Sequence, residues 1–201
     1  MKLWQVTGMV LGMALLALGH AGHVQAHEFR MIFIAPLSGA GAAEGQQALA
    51  GLMFAARERD GHPDETADGH LGGMDVHVLT VDSAVGRTEA LKRIESLKSR
   101  EPVEIVAGVL PAAWRETPPG LEQAAPMPFI DGHRVTPPQT TMDGTPFQPA
   151  FRTATGSDAG PWTLRGYGVG RLIDRAIRAV NEDLSKRDRL MEILKAGMTG
   201  G

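Results

Sequence analysis

Cysteine, an excess of positive charge and long apolar segments are all scarce or missing in this 201-residue sequence. The complete absence of cysteine excludes disulfide bonds, thiol nucleophiles, iron–sulfur clusters and cysteine-ligated zinc. The 20 Lys and Arg residues are outnumbered by 23 Asp and Glu residues, for a formal charge of -3. Because clustered positive charge dominates binding to a phosphate backbone, we expect no nucleic-acid partner. The remaining composition, 43% hydrophobic and 21% charged, is typical of a globular domain.

The segment 1–26 has the features of a secretory signal peptide. Lys2 precedes an apolar run over 10–18, and Val24-Gln25-Ala26 places small residues at the positions that signal peptidase reads. The run is too short and too glycine-interrupted for a stable membrane span, and an uncleaved N-terminal anchor is the alternative. No cysteine follows the run, which excludes a lipid-anchored exported protein. We therefore expect a soluble periplasmic chain with a single domain over 27–201.

From residue 27 onward the apolar periodicity switches repeatedly between that of strands and that of helices. This alternation predicts an α/β fold, here a single three-layer lobe with a mostly parallel sheet and C-terminal helices packed on it. The predicted strands cover 29–35, 76–81, 103–109 and 127–130. The predicted helices cover 43–60, 88–97, 169–180 and the region around 190–194. The segments 61–73 and 132–165 are predicted to be rich in loops, with 147–153 as a candidate edge strand.

Ligands in open α/β sheets bind beyond the carboxyl ends of the strands. The candidate loops are therefore 36–45, 82–87, 110–115 and 131–134. The first of these loops contains Gly39-Ala40-Gly41-Ala42-Ala43-Glu44, which matches the G-x-G-x-x-G dinucleotide fingerprint except for the acid in its last position. An acid there would lie near the negatively charged pyrophosphate and repel it. A nucleotide-dependent enzyme is therefore the least favoured of our three hypotheses for this chain.

The sequence predicts no catalytic residue, no metal site and no cofactor. It has no G-x-S-x-G nucleophile elbow, and Ser157 lies in a loop. His62 and His70 lie in a Gly- and Asp-rich loop without a ligand repeat. After cleavage of the predicted signal peptide, His27 would be the N-terminal residue. Its amino group and imidazole could coordinate copper, but a flexible chain end is the better explanation. Trp114, beside the third strand, is predicted to be either a platform for a ligand or a lid over the adjacent helix.

A series of short motifs follows one another along residues 29–155. They are Phe33-Ile34-Ala35-Pro36-Leu37-Ser38-Gly39, Val76-His77-Val78-Leu79-Thr80-Val81-Asp82-Ser83, Ile105-Val106-Ala107-Gly108-Val109, Ala125-Pro126-Met127-Pro128-Phe129-Ile130 and Phe151-Arg152-Thr153-Ala154. In this order they resemble the N-terminal lobe of type 1 periplasmic solute-binding proteins of the leucine/isoleucine/valine-binding kind, which are ABC-transporter components. The helix over 166–177 is similar to the late helix of that family, which returns to the first lobe.

The resemblance implies a ligand that is an amino acid or a similar small polar solute, and a membrane permease or another periplasmic protein as partner. Family members cross to a second lobe that closes over the ligand, whereas here the late helix follows Thr155 almost at once. The resemblance therefore implies a lobe reduced to the N-terminal half. In the loop where the family holds its ligand, this chain has Leu110-Pro111-Ala112-Ala113, which offers no hydroxyl and one proline without an N–H.

The expected function is that of an exported, non-enzymatic solute-binding lobe that senses or docks a ligand for transport. The candidate ligand-binding residues all follow predicted strands; they are Ser38, Asp82, Ser83, Ala112, Ala113 and Trp114. Asp82 and Ser83 have a simpler explanation, because such residues at a strand end usually form local turns. The alternative function is a periplasmic interaction subunit or homodimer without a small-molecule ligand.

Overall fold

The structure, a computed structural model, describes residues 28–60, 66–111, 114 and 129–198, so the predicted signal peptide over 1–26 lies outside the described residues. The strands are β1 (Glu28–Ala35), β2 (Gly69–Leu71), β3 (Met74–Asp82), β4 (Ile105–Gly108) and β5 (Ile130–Asp131). The helices are α1 (Ala42–Arg57), α2 (Arg87–Lys98), α3 (Phe147–Thr155), α4 (Pro161–Ala179) and α5 (Arg187–Met198). Single turns of 3-10 helix lie at Gly39–Gly41 and Ser83–Val85.

The described strands form one five-stranded sheet in the order β2-β3-β1-β4-β5. The central strand β1 pairs in parallel with β3 on one side and with β4 on the other. β4 pairs in parallel with β5, while β2 is antiparallel to β3. The prediction of an α/β fold with a mostly parallel sheet is confirmed.

The side chains of β1 alternate between two apolar cores, one on each face of the sheet. Phe29, Met31 and Phe33 belong to the core that is shared with α1, α4 and α5. Ile32 and Ile34 belong to the second core, which is closed by α2. Because both faces of β1 are buried, its sequence is a continuous apolar run, as is typical of a central parallel strand. The helices on the two faces make the three layers that the sequence predicts.

Small residues allow α1 and α4 to pack with their backbones almost in contact. A Cβ atom at Gly166 would lie 1.7 Å from the carbonyl oxygen of Ala48, and one at Gly51 would lie 1.9 Å from the carbonyl oxygen of Thr163. A Cβ at Gly170 would lie 2.5 Å from the Cβ of Ala55. The relative position of the two helices therefore depends on glycine at these positions, since backbone atoms cannot move aside as a flexible side chain can.

The prediction of an edge strand over 147–153 is wrong, because these residues lie in the helix α3. The spacing of Phe147 and Phe151 puts both rings on one helical face, where they pack edge-on against Phe54 at 5.7 and 5.4 Å between ring centroids. Gly156 ends the helix in the left-handed conformation, with φ of 73°. Pro149 is compatible with the helix, because it lies in the first turn of α3, where its missing N–H has no helical partner to lose.

The loop-rich segments contain more regular structure than the sequence predicts. The loop predicted over 61–73 ends in β2, and within 132–165 lie α3 and the first residues of α4. The fourth predicted strand appears as β5, and residues 127–128 of that prediction lie outside the described residues. No helix within the described ranges is long and apolar enough to cross a membrane.

Candidate functional site

A cavity of about 380 Å³ opens at the carboxyl ends of the central strands. It lies where β1, β3, β4 and β5 all end, at the point where the strand order reverses and open α/β sheets bind ligands. The volume lies within the range of small-molecule sites. The described residues that line it are Pro36, Ser38, Ala40, Gly41, Glu44, Gly45, Ala84, Val109, Leu110, Pro111, His133 and Trp162.

The wall formed by the loop between β1 and α1 is held in place by the carboxylate of Asp82. Its Oδ1 accepts the backbone N–H of Leu37 at 2.8 Å and that of Ala84 at 2.9 Å, and the carboxylate also accepts hydrogen bonds from the backbone and hydroxyl of Ser38. Partial burial alone would raise the pKa of Asp82, but these hydrogen bonds stabilise the carboxylate and lower its pKa overall. Asp82 therefore joins the ends of β1 and β3 at the site.

The opposite wall consists of His133 and Trp162. The Nε2 atom of His133 lies 3.1 Å from the carbonyl oxygen of Leu110, which can only accept, so Nε2 carries the proton. The two rings meet edge-to-face at 5.4 Å. The guanidinium of Arg165 lies 5.7 Å from the centre of the Trp162 ring and donates to the carbonyl of His133 at 3.4 Å. Trp162 is thus braced by two neighbours while it lines the cavity.

The six residues proposed as ligand contacts lie in different environments, and of those described only Ser38 lines the cavity. Ser38 lines the cavity, although its hydroxyl is engaged by Asp82, which itself lies behind the loop. Ser83 is buried, and its hydroxyl has no hydrogen-bond partner among the described residues. Trp114 packs into the core that α2 closes and is not among the lining residues described. The predictions for Ala112 and Ala113 lie outside the described residues.

Of the described residues that line the cavity, only Ser38 was proposed from the sequence, and the polar and aromatic side chains that it missed are those of Glu44, His133 and Trp162. Glu44 is in the first turn of α1 and was considered only as a departure from a nucleotide motif. His133 belongs to one of the strand-end loops, so its position was available from the sequence although its role was not. Trp162 comes from the N-terminal turn of α4, and no pattern in the sequence indicates that this turn reaches the strand ends.

A second cavity, also of about 380 Å³, lies at the other end of α1. α1 has 16 residues and is therefore about 24 Å long, and the two cavities lie at its opposite ends. The second cavity borders Glu58, whose carboxylate accepts from the Tyr167 hydroxyl at 3.0 Å and from the Met142 N–H at 3.1 Å. Arg171 donates to the Tyr167 hydroxyl at 2.6 Å. This network joins α1, α4 and the loop before α3, which indicates a structural role.

Burial raises the pKa of Glu58, in opposition to its hydrogen bonds from Met142 and Tyr167. The folded protein therefore holds this proton more tightly than the unfolded chain, and the wild type loses stability as the pH rises above about 4.5. We expect Glu58→Gln to be within about 1 kcal/mol of the wild type at neutral pH, because the amide oxygen still accepts both hydrogen bonds. Glu58→Ala should lose about 2 to 3 kcal/mol, since both donors lose their partner.

Thermal unfolding of the wild type and of the two Glu58 variants at a series of pH values from about 4 to 7 measures this difference, because the wild type loses the contribution of Glu58 as the pH rises above about 4.5. The stability of Glu58→Gln relative to the wild type should increase as the pH rises. Equal destabilisation by glutamine and alanine would show that the negative charge itself is required.

The described residues contain no group of three or more His, Cys, Asp or Glu side chains arranged to hold a metal ion. His70, considered as a ligand from the sequence, lies between two carboxylates instead. Its Nε2 is 2.6 Å from Asp75 and its Nδ1 is 3.3 Å from Asp60, so it bridges β3 and the end of α1.

No protein-family model matches this chain, and no curated protein matches it in sequence. The likeness to solute-binding proteins therefore rests on the motifs and on their order along the chain.

Proposed function

We propose that this chain is a solute-binding lobe, related to the substrate-binding components of ABC transporters, that takes a small polar solute of about the size of an amino acid. The observation that carries the proposal is the cavity at the carboxyl ends of β1 and β4. It combines apolar walls with a few polar groups, which is the composition typical of small-molecule sites. In keeping with the predicted signal peptide, we place this function in the periplasm, with a membrane permease as partner.

The chemistry of the lining favours binding over catalysis. Ser38 supplies a hydroxyl, but this group donates to the carboxylate of Asp82 and is not paired with a histidine, as a nucleophile would be. His133 donates through Nε2 to a backbone carbonyl, which fixes its ring beside Trp162. The side chains are held by the fold and by one another, so the cavity can bind a ligand with little rearrangement.

Replacement of Trp162 by alanine should weaken solute binding at least about tenfold, because the ligand loses an aromatic wall held in place by its neighbours. Isothermal titration calorimetry of residues 27–201 with amino acids and their amides measures the change in affinity. Trp162→Phe is the matched control, since it keeps an aromatic ring in the cavity. Equal affinity of the alanine variant and the wild type would place the binding site elsewhere.

A second candidate function is docking of another copy of the chain over the same edge of the sheet. Val85, 56% exposed, is the only large hydrophobic residue described as exposed, and it follows β3 next to Ala84 of the cavity. Sedimentation of the wild type and of Val85→Ser distinguishes the two functions. A dimer that the substitution dissociates would favour docking, and a monomer at high concentration would favour solute binding.

A further inference from the structure

The described lining of the cavity has a negatively charged side chain and no positively charged one. Among the described residues that line it, Glu44 carries the only carboxylate, and there is no lysine or arginine. The Glu44 side chain forms no ion pair or hydrogen bond with any of the described residues. An anionic ligand would therefore meet a carboxylate of like charge without a compensating cation, whereas a cationic ligand would supply the partner that Glu44 lacks.

The other lining groups are consistent with a ligand that carries positive charge at one end and an apolar body. Trp162 offers an aromatic surface, which attracts ammonium groups as well as alkyl chains. Pro36, Val109 and Leu110 add apolar contacts. The hydroxyl of Ser38 and the Nε2–H of His133 are already used within the protein, so neither is free to hold a ligand carboxylate.

Within the described part of the cavity, the N-terminus of α1 is a feature that could favour an anion. Its first turn has no side-chain cap, and its partial positive charge would attract a carboxylate. Glu44 lies in this same turn and carries a full negative charge, which exceeds the half charge of the helix end. The net preference at the cavity is therefore for a cation.

We infer that the cavity selects a protonated amine, with Glu44 as the residue that determines this specificity and Trp162 as the surface against which the alkyl part packs. The inference rests on the proposed function and sharpens it. An alkylamine should bind more tightly than the corresponding zwitterionic amino acid, because the carboxylate of the amino acid has no cationic side chain to meet. A simple carboxylate should bind least.

Calorimetry with ligands that share the 3-methylbutyl group and differ in charge tests the inference. The probes are isoamylamine, leucinamide, leucine, isocaproamide and isocaproate. We expect the two monocations to bind at least about tenfold more tightly than isocaproate, and added salt to reduce the difference. Glu44→Gln should remove most of this discrimination while binding of the neutral isocaproamide changes little.

The matched control is Glu89→Gln, which removes the same charge from the first turn of α2. Glu89 is exposed, pairs with Lys92 at 3.5 Å and does not line the cavity, so this variant should keep the amine preference. Tighter binding of the carboxylate or of the neutral amide would overturn the inference and leave a solute site in place. Amine binding that survives Glu44→Gln unchanged would also overturn it, and binding of no probe would contradict both the inference and the proposed function.

Discussion

Gly166→Ala is expected to destabilise the protein by about 3 kcal/mol, although alanine is the better helix former by about 1 kcal/mol. The added methyl group would lie 1.7 Å from the carbonyl oxygen of Ala48, so α1 and α4 would have to separate. Both helices pack into the apolar core that contains Phe29, Met31 and Phe33. Each also contributes a residue to the cavity, Glu44 from α1 and Trp162 from α4. A shift between them should therefore weaken ligand binding as well as stability.

Thermal unfolding should show a loss of about 10 °C for Gly166→Ala. Gly197→Ala is the matched control, because it makes the same change inside a helix but brings the new Cβ to 2.2 Å from Cδ1 of Leu172. Leu172 is buried, but that atom is the end of a side chain that can turn aside, so the loss there should be about 1 kcal/mol, clearly smaller than for Gly166→Ala. If Gly166→Ala and Gly197→Ala lost the same amount of stability, the close contact of α1 and α4 would not restrict residue 166 to glycine.

Asp82→Ala should have the second large effect, a loss of about 3 kcal/mol together with loss of solute binding. The substitution leaves the backbone N–H groups of Leu37 and Ala84 without their acceptor and frees Ser38. The loop between β1 and α1 forms one wall of the cavity, so it would no longer be held in the shape that a ligand needs. Asp82→Asn keeps one acceptor oxygen and should show about half of the loss.

Acid titration provides an independent test of the role of Asp82. Its pKa is lower in the folded protein than the ordinary value of 3.8, so its stabilising contribution is present above that pH and is lost as the pH falls through the folded value. The difference in unfolding free energy between the wild type and Asp82→Asn should therefore narrow below about pH 4. A difference that stays constant through this range would mean that the carboxylate charge does not stabilise the loop.

Much of the fold could be predicted from the sequence because its central elements have strong periodic patterns. The apolar run of β1 and the long apolar stripe of α4 are both buried along their length, and such patterns are independent of distant contacts. The three-residue strand β2 and the helix α3 were missed for two different reasons. β2 is too short to carry a pattern. α3 was missed although Phe147 and Phe151 have helical spacing, because the Pro and Gly residues just before it are typical of a loop.

The site could be predicted in part. Topology brings the carboxyl ends of parallel strands to one edge, so the loops that contain Ser38, Leu110 and His133 were identified without a structure. Trp162 could not be identified in this way. Its position depends on how α4 docks against α1 through Gly51 and Gly166, and that docking is a property of three-dimensional packing.

An NMR titration of residues 27–201 with isoamylamine and leucinamide shows most directly whether the cavity between the ends of β1 and β4 binds a small solute. We expect saturable shifts of the Trp162 indole N–H and of the amides of Ser38, Gly41 and Val109, with little change at Leu194 in α5. Shifts that map to Thr141 and Asp143 at the second cavity, or no saturable shift at all, would show that this cavity is not a solute site.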